Sequence, residues 1–220
     1  MEKEFWKEAW DEDRIGFHQS SYNPIMMKTF ANIDLKNKNI LIPLAGRSQD
    51  IDYFLEREAN VYAVEIVEKA IVDYFKITQK SYENESYENY TLYKHKNLKF
   101  YSADFFNSPD FIDSEVDYVY DRASNIALPK QLRETYYKTI QKLSNKSTKY
   151  FILTYTHDGD KDFGPPFYVP EEEILRAYSD MSVELKSYTL KTTRDIQERF
   201  QESGITEMTR VLWTNIINPL

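Results

Sequence analysis

The chain first places Phe5, Trp6, Ala9 and Trp10 on one face at helical spacing. Asn23-Pro24 then supplies an N-cap with proline at the first helical position, which predicts a second helix through Met27 and Phe30. From Asn39 the pattern changes. Asn39-Ile40-Leu41-Ile42-Pro43-Leu44 is a short apolar run suited to a strand covered on both faces, and Ile51, Phe54 and Leu55 follow on one helical face. Val61–Ile66 predicts a second strand, and Lys69–Lys80 a helix with Ala70, Ile71, Tyr74 and Phe75 inward. Further strands are predicted over Leu98–Tyr101, Val116–Tyr120 and Tyr150–Tyr155, with helices opened by Pro129 and by Pro170. Two strand-like segments, Val183–Leu190 and Thr206–Ile216, close the chain with no long helix between them, as in an antiparallel pair. The alternation predicts an α/β fold: a mostly parallel seven-stranded sheet with helices on both faces and an N-terminal helical cover over residues 1–33.

One segment departs from this rhythm. Ser81-Tyr82-Glu83-Asn84 recurs as Ser86-Tyr87-Glu88-Asn89 inside a polar, tyrosine-rich stretch over 79–96, where such sheets have a short connection. It is read as an insertion, a mobile loop or an added hairpin. A solvated surface loop is the simpler reading of it, and a lid over the site the other. No linker splits the chain, so residues 1–220 are expected to form one domain.

Composition narrows the function. A formal net charge of −8 is the wrong sign for a polyphosphate partner, so no nucleic acid is expected. No run approaches the roughly 18 apolar residues of a membrane span, and Met1-Glu2-Lys3-Glu4-Phe5-Trp6 lacks the apolar core of a secretory signal, so a cytoplasmic protein without membrane contact is expected. There is no cysteine, which removes disulfides and cysteine nucleophiles. His18, His95 and His157 have no metal-ligand spacing, and no metal is expected. Nothing requires more than a monomer. Only five glycines occur where average usage of about 7% would give roughly fifteen, so each is worth locating.

In an open α/β sheet the ligand binds beyond the carboxyl ends of the strands, at the switch point. Three features fall there: the turn Leu44-Ala45-Gly46-Arg47-Ser48-Gln49-Asp50, Glu65 at the end of the second strand, and Asp121-Arg122 after the fourth. Glu65 lies 19 residues after Gly46, a spacing at which a carboxylate can accept the ribose hydroxyls of a nucleoside cofactor. A pyrophosphate needs several glycines for close backbone approach, and this turn has one. That points away from a dehydrogenase and toward S-adenosylmethionine, which carries no phosphate. Two readings of each residue stand at this point. Glu65 is a ribose acceptor or a strand-end cap, and Arg122 is a site residue or the structural partner of Asp121 or Asp104. Trp6 and Trp10 are simplest as core.

The sequence resembles the thiopurine S-methyltransferase family, and the likeness is spread along the chain. It is carried by Phe5-Trp6 with Trp10, Ile15-Gly16-Phe17-His18, Leu41-Ile42-Pro43-Leu44-Ala45-Gly46-Arg47-Ser48 with Asp50, Val64-Glu65-Ile66, Ala103-Asp104-Phe105-Phe106, Tyr120-Asp121-Arg122-Ala123 with Ala127-Leu128-Pro129, and Gly164-Pro165-Pro166-Phe167. The resemblance implies a Rossmann-like class I S-adenosylmethionine-dependent methyltransferase with a helical extension over its site. By position it implies that Trp10, Leu44, Glu65 and Arg122 contact the cofactor, with Trp6 and Gly46 nearby and Asp104-Phe105 along the adenine. Phe17 would line the acceptor pocket, and Arg122 with Arg199 would face the anionic atom of the acceptor. Ala45 stands where the family commonly has cysteine, and Ala63 and Ala103 where it commonly has glycine; none of these removes a functional side chain.

The reaction so implied moves a methyl group to a small soft nucleophile, by default the sulfur of a thiopurine or aromatic thiol. Selenium or tellurium oxyanions, aliphatic thiols and halides are the alternatives within the class. A protein that holds S-adenosylmethionine without turning it over, as a regulator, is the alternative outside it. The catalytic role expected of Arg122, and of Arg199, is electrostatic: a guanidinium stabilises thiolate over thiol.

Overall fold

The computed structural model of the chain describes residues 3–15, 18–190 and 198–220. Two helices come first, α1 (Lys3–Asp11) and α2 (Pro24–Phe30), then β1 (Asn39–Ile42), α3 (Asp50–Glu56), β2 (Asn60–Glu65) and α4 (Glu68–Thr78). A hairpin of β3 (Glu83–Ser86) and β4 (Thr91–His95) leads into β5 (Leu98–Ser102) and β6 (Val116–Arg122). The remainder is α5 (Lys130–Leu143), β7 (Ser144–His157), α6 (Glu171–Ser179), β8 (Lys186–Leu190), the short α7 (Glu198–Gln201) and β9 (Met208–Thr214).

The strands form one sheet in the order β3-β4-β5-β2-β1-β6-β7-β9-β8. Its centre, β5-β2-β1-β6-β7, is parallel throughout. Both flanks are antiparallel: β4 on β5 with β3 outside it, and β9 on β7 with β8 outside it. The sheet is therefore nine-stranded and mixed where seven strands were expected. The two extra strands are a hairpin within the 79–96 segment, the added hairpin being one of the forms expected of that insertion. Leu92 and Tyr93 of β4 are buried, whereas all four residues of β3 are exposed. β3 therefore carries no alternation of buried and exposed positions from which a strand could be read.

The central strands are apolar without alternation because both faces are covered. Ile40 and Ile42 of β1 point to one face with Val61, Phe100, Tyr120 and Phe151, where Met26 and Phe30 of α2, Phe54 of α3 and Phe75 of α4 pack against them. Leu41 points to the other face with Tyr62, Val64, Val119 and Ile152, under Tyr136 and Ile140 of α5 and Ile174 and Tyr178 of α6. A third small cluster joins Trp10 and Ile15 to Val67 and Ala70, which fastens α1 to the start of α4.

The proline signals are offset by a residue: Pro129 and Pro170 sit in extended conformation at the N-caps of α5 and α6. Asn23 caps α2 as the sequence implied, its side-chain oxygen accepting the N–H groups of Ile25 at 3.0 Å and Met26 at 3.2 Å. Among the described residues no helix is long and apolar enough to cross a membrane. Asn23 is itself buried, so Asn23→Ala is expected to lower stability by about 1–2 kcal/mol without changing the fold, read as a lower urea midpoint at unchanged m-value.

Candidate active site

The strand order reverses direction between β1 and β6, which makes the carboxyl ends of these two strands the switch point where such sheets bind ligands. Beyond Ile42 the chain turns sharply. Leu44 and Gly46 both adopt left-handed backbone, with φ of +45° and +57°, and Ala45 N–H donates to the Val64 carbonyl at 2.9 Å. A left-handed leucine is strained, and such strain persists only where its surroundings hold it in place. Gly46 has a second reason for being glycine. A Cβ there would lie 3.3 Å from Cζ2 of Trp10, so the indole rests directly on the turn.

Glu65 fixes that turn from the neighbouring strand. Gly46 N–H donates to its Oε2 and Val67 N–H to its Oε1, each at 2.9 Å. The side chain is buried, and desolvation pushes its carboxyl above the ordinary range, opposed in part by the N–H groups of Val67, Gly46 and Ile66. The carboxylate retains some acceptor capacity, since an ionised carboxylate offers about four lone-pair sites and three N–H groups do not exhaust them. Capping and ligand contact are therefore compatible in this geometry.

At the end of β6, Arg122 pairs with neither Asp121 nor Asp104. Its Nε lies 2.8 Å from Oδ2 of Asp50, at the start of α3, and its Nη2 donates to Ser48 Oγ at 3.0 Å. The Nε–H is not aimed along the line to the carboxylate, so the contact is charge pairing and not a directed hydrogen bond. Asp50 is wholly buried and serves three partners: Oδ1 accepts Asn23 N–H at 2.7 Å, and Oδ2 accepts Tyr120 Oη–H at 2.7 Å beside the guanidinium. Burial works against the Arg122 charge, but Tyr120, Asp50 and Tyr155 overcome it and raise its pKa.

Asp121 has its own network. Its Oδ1 accepts Ser124 N–H at 2.7 Å and its Oδ2 the Tyr136 hydroxyl at 2.8 Å, while Ser124 Oγ donates to the Pro43 carbonyl at 2.7 Å. Burial pushes the Asp121 carboxyl up to about 6. These bonds tie the loop after β6, where Ala123 has φ of +68°, to the end of β1.

The two strand ends open into one cavity of about 1090 Å³, somewhat more than the roughly 300–1,000 Å³ of a single small-molecule site. Trp6, Trp10, Leu44, Gly46, Glu65, Asp104, Phe105 and Arg122 all line it, as do Pro165 and Pro166. Asp104 also caps the turn that follows, accepting Phe106 N–H at 2.9 Å. Phe17 lies outside the described residues. Arg199 belongs to α7, but its side chain also lies outside what is described; its neighbour Phe200 lines the cavity.

Four residues that the sequence motifs contain, but to which no role was given, acquire one in the structure. Asp50 and Ser48 anchor Arg122, and Arg47 and His18 line the cavity. The His18 pKa is lowered by burial and then by the charges of Arg47 and Arg122, which keeps the ring neutral near pH 7. Asp50 stood in the sequence motif, but its partners are 27 and 70 residues away.

The fold, with an apolar-lined cavity at its switch point, is that of a Rossmann-like class I methyltransferase. The 1,6-didemethyltoxoflavin-N1-methyltransferase of Burkholderia thailandensis, crystallised with 1,6-didemethyltoxoflavin and S-adenosylhomocysteine, shares this fold with a TM-score of 0.65 at 16% identity, over 96% of this chain and 85% of that one. The family profile described as thiopurine S-methyltransferase matches residues 1–215, and the chain belongs to that family. It is accordingly an S-adenosylmethionine-dependent methyltransferase of small molecules. Among its relatives, the thiopurine S-methyltransferase of Aliivibrio fischeri (strain MJ11) is 34% identical over 191 residues, covering 83% of this chain and 85% of that one. The Francisella tularensis subsp. tularensis (strain FSC 198) protein of the same description is 30% identical over 207 residues, covering 93% and 91%.

Two stability measurements test the buried networks. Asp50→Asn removes the charge that balances Arg122, and breaking a buried pair in this way is expected to cost about 3 kcal/mol in urea unfolding. For Asp121, a carboxyl at about 6 in the fold and near 3.8 unfolded binds more protons when folded, so its contribution is present below pH 3.8 and lost as pH rises through 6. Asp121→Asn is therefore expected to gain on the wild type as pH rises from about 4 to 7, by on the order of 3 kcal/mol, with the gap read from paired urea titrations.

Proposed function

We propose that this protein transfers the methyl group of S-adenosylmethionine to the sulfur of a small thiol, a thiopurine or aromatic thiol foremost. The observation that carries the reading is convergence: eight residues singled out in the sequence, drawn from α1, the β1 turn, β2, the loop after β5 and β6, line a single cavity. The thiol part of the reading comes from family membership, since the relatives are named as thiopurine S-methyltransferases.

The residues suit the cofactor. The one-glycine turn under Trp10 gives a nucleoside a close seat, Glu65 offers free lone pairs to ribose hydroxyls, and Phe105 beside Asp104 supplies an apolar wall with an acidic edge for adenine. When bound, the sulfonium supplies the electrophilic methyl. Trp6 and Trp10 of α1 line the cavity with apolar rings, and such a lining favours a displacement in which opposite charges annihilate. Arg122 holds positive charge at the β6 end, where it stabilises thiolate over thiol; its pairing with Asp50 fixes the guanidinium and moderates its field. We assign Phe17 to the acceptor wall and Arg199 to the acceptor's anionic sulfur on the family likeness alone. The same reading takes the protein as a cytoplasmic monomer and residues 1–220 as one domain, the last supported by the single continuous sheet.

The test is calorimetric titration with S-adenosylhomocysteine followed by transfer of labelled methyl to a panel of thiols. Submillimolar binding and methylation of an aromatic thiol are expected. Binding of NADH in place of S-adenosylhomocysteine would overturn the cofactor, and methylation confined to halide or selenium acceptors would overturn the thiol. Glu65→Ala is expected to weaken S-adenosylhomocysteine by about 10- to 100-fold, the scale of losing hydrogen bonds to a charged acceptor.

A further inference from the structure

Arg47 is a cation whose protein neighbours leave much of its charge and bonding capacity unused. It follows Gly46 in the turn after β1 and lines the cavity with its side chain only 18% exposed. Its two carboxylate contacts are at the outer limit of ion pairing: Asp73 at 3.8 Å and Asp13 at 4.0 Å. Neither is a strong partner. Asp73 is held at 2.7 Å by Lys69, and Asp13 is 82% exposed, where solvent screens the interaction. Among the described residues its buried Nε has no hydrogen-bond partner. The guanidinium carbon instead lies 5.6 Å from the centre of the Trp10 ring, and that stacking orients the planar fork without occupying its N–H groups.

A buried donor without a partner costs free energy, and a stacked arginine with open N–H groups suits one kind of ligand group above others: a carboxylate taken by two parallel N–H···O bonds. The field on this side of the cavity has the matching sign. His18 faces both Arg47 and Arg122, and Arg122 is already balanced by Asp50, which leaves Arg47 the under-compensated charge. All this lies in a chain of net charge −8, so the cationic lining is local.

We propose that Arg47, oriented by Trp10, is the carboxylate anchor of this pocket and pairs with a carboxylate of a bound ligand. This rests on the methyltransferase reading of the cavity. Two ligands can bring that group: the amino-acid end of the methyl donor, or an acid-bearing thiol acceptor.

Paired probes separate the sources without requiring turnover. S-adenosylhomocysteine and 5′-methylthioadenosine differ by the amino-acid end. 2-Mercaptobenzoate and thiophenol, titrated into protein saturated with S-adenosylhomocysteine, differ by one carboxylate. If the donor supplies the group, Arg47→Gln weakens S-adenosylhomocysteine by about 10- to 100-fold and 5′-methylthioadenosine by about threefold or less. If the acceptor supplies it, the first pair is unchanged and 2-mercaptobenzoate alone weakens by that factor. A purely structural strap on α1 predicts an equal loss for both members of each pair, and that result, or no change in any probe, overturns the proposal. Arg47→Lys, which keeps the charge but loses the fork, is expected to fall between wild type and Arg47→Gln and serves if the glutamine variant does not fold. Wild-type protein that binds neither nucleoside probe overturns the methyltransferase reading together with this one. Wild-type binding with no effect of either substitution overturns this one alone.

Discussion

The Asp50 carboxylate is the constraint on which the rest of the site depends. One buried group, with no exposed surface, meets the backbone N–H of Asn23, the hydroxyl of Tyr120 and the guanidinium of Arg122. A carboxylate in that position is costly unless every lone pair is used. The three partners come from the cap of α2, the middle of β6 and its end, so satisfying the charge brings three parts of the chain into register at once. The same Asn23 that receives Asp50 through its backbone caps α2 through its side chain, and the cap and the ion pair therefore support each other. Arg122 reaches the cavity only in the posture Asp50 and Ser48 allow.

Glu65 performs the corresponding task on the other side of the switch point. It holds the Gly46 turn from β2 and still lines the cavity, so one side chain sets the shape of the turn and forms part of the wall of the site. The choice between cap and ligand contact, drawn from sequence spacing as two separate readings, is not a choice in the folded protein. Leu44 shows what this geometry requires: a branched residue in left-handed backbone, kept there by packing and by the bond from Ala45 to Val64.

Much of this was legible before the structure. Strands buried on both faces announce themselves as unbroken apolar runs, and the Asn23-Pro24 cap, the Gly46 turn and Glu65 follow from local chemistry that spacing alone can reveal. What sequence could not supply is the identity of distant partners. Arg122 was weighed against Asp121 and Asp104, while its counter-ion Asp50 lies at the start of α3 and Asp121 is used by Ser124 and Tyr136. The hairpin of β3 and β4 was one of the forms open to the 79–96 segment, and for a different reason the sequence could not choose it over a loop. β3 has no buried face to impose alternation, and its place in the sheet depends on β4, whose Leu92 and Tyr93 alone carry an apolar signal.

That hairpin also sets how the sheet ends. Without it, β5 would present its open edge to solvent, with the buried, apolar residues Leu98, Phe100 and Tyr101 behind a row of unpaired backbone groups. With it, the last strand is short, exposed at every position, and carries Glu83 and Glu85 among its four residues. Two copies meeting edge to edge would bring these carboxylates together, and short, charged border strands are the means by which sheets avoid templating one another. The tyrosine-rich addition thus works as a guard on the open side of the sheet, far from the chemistry at its centre.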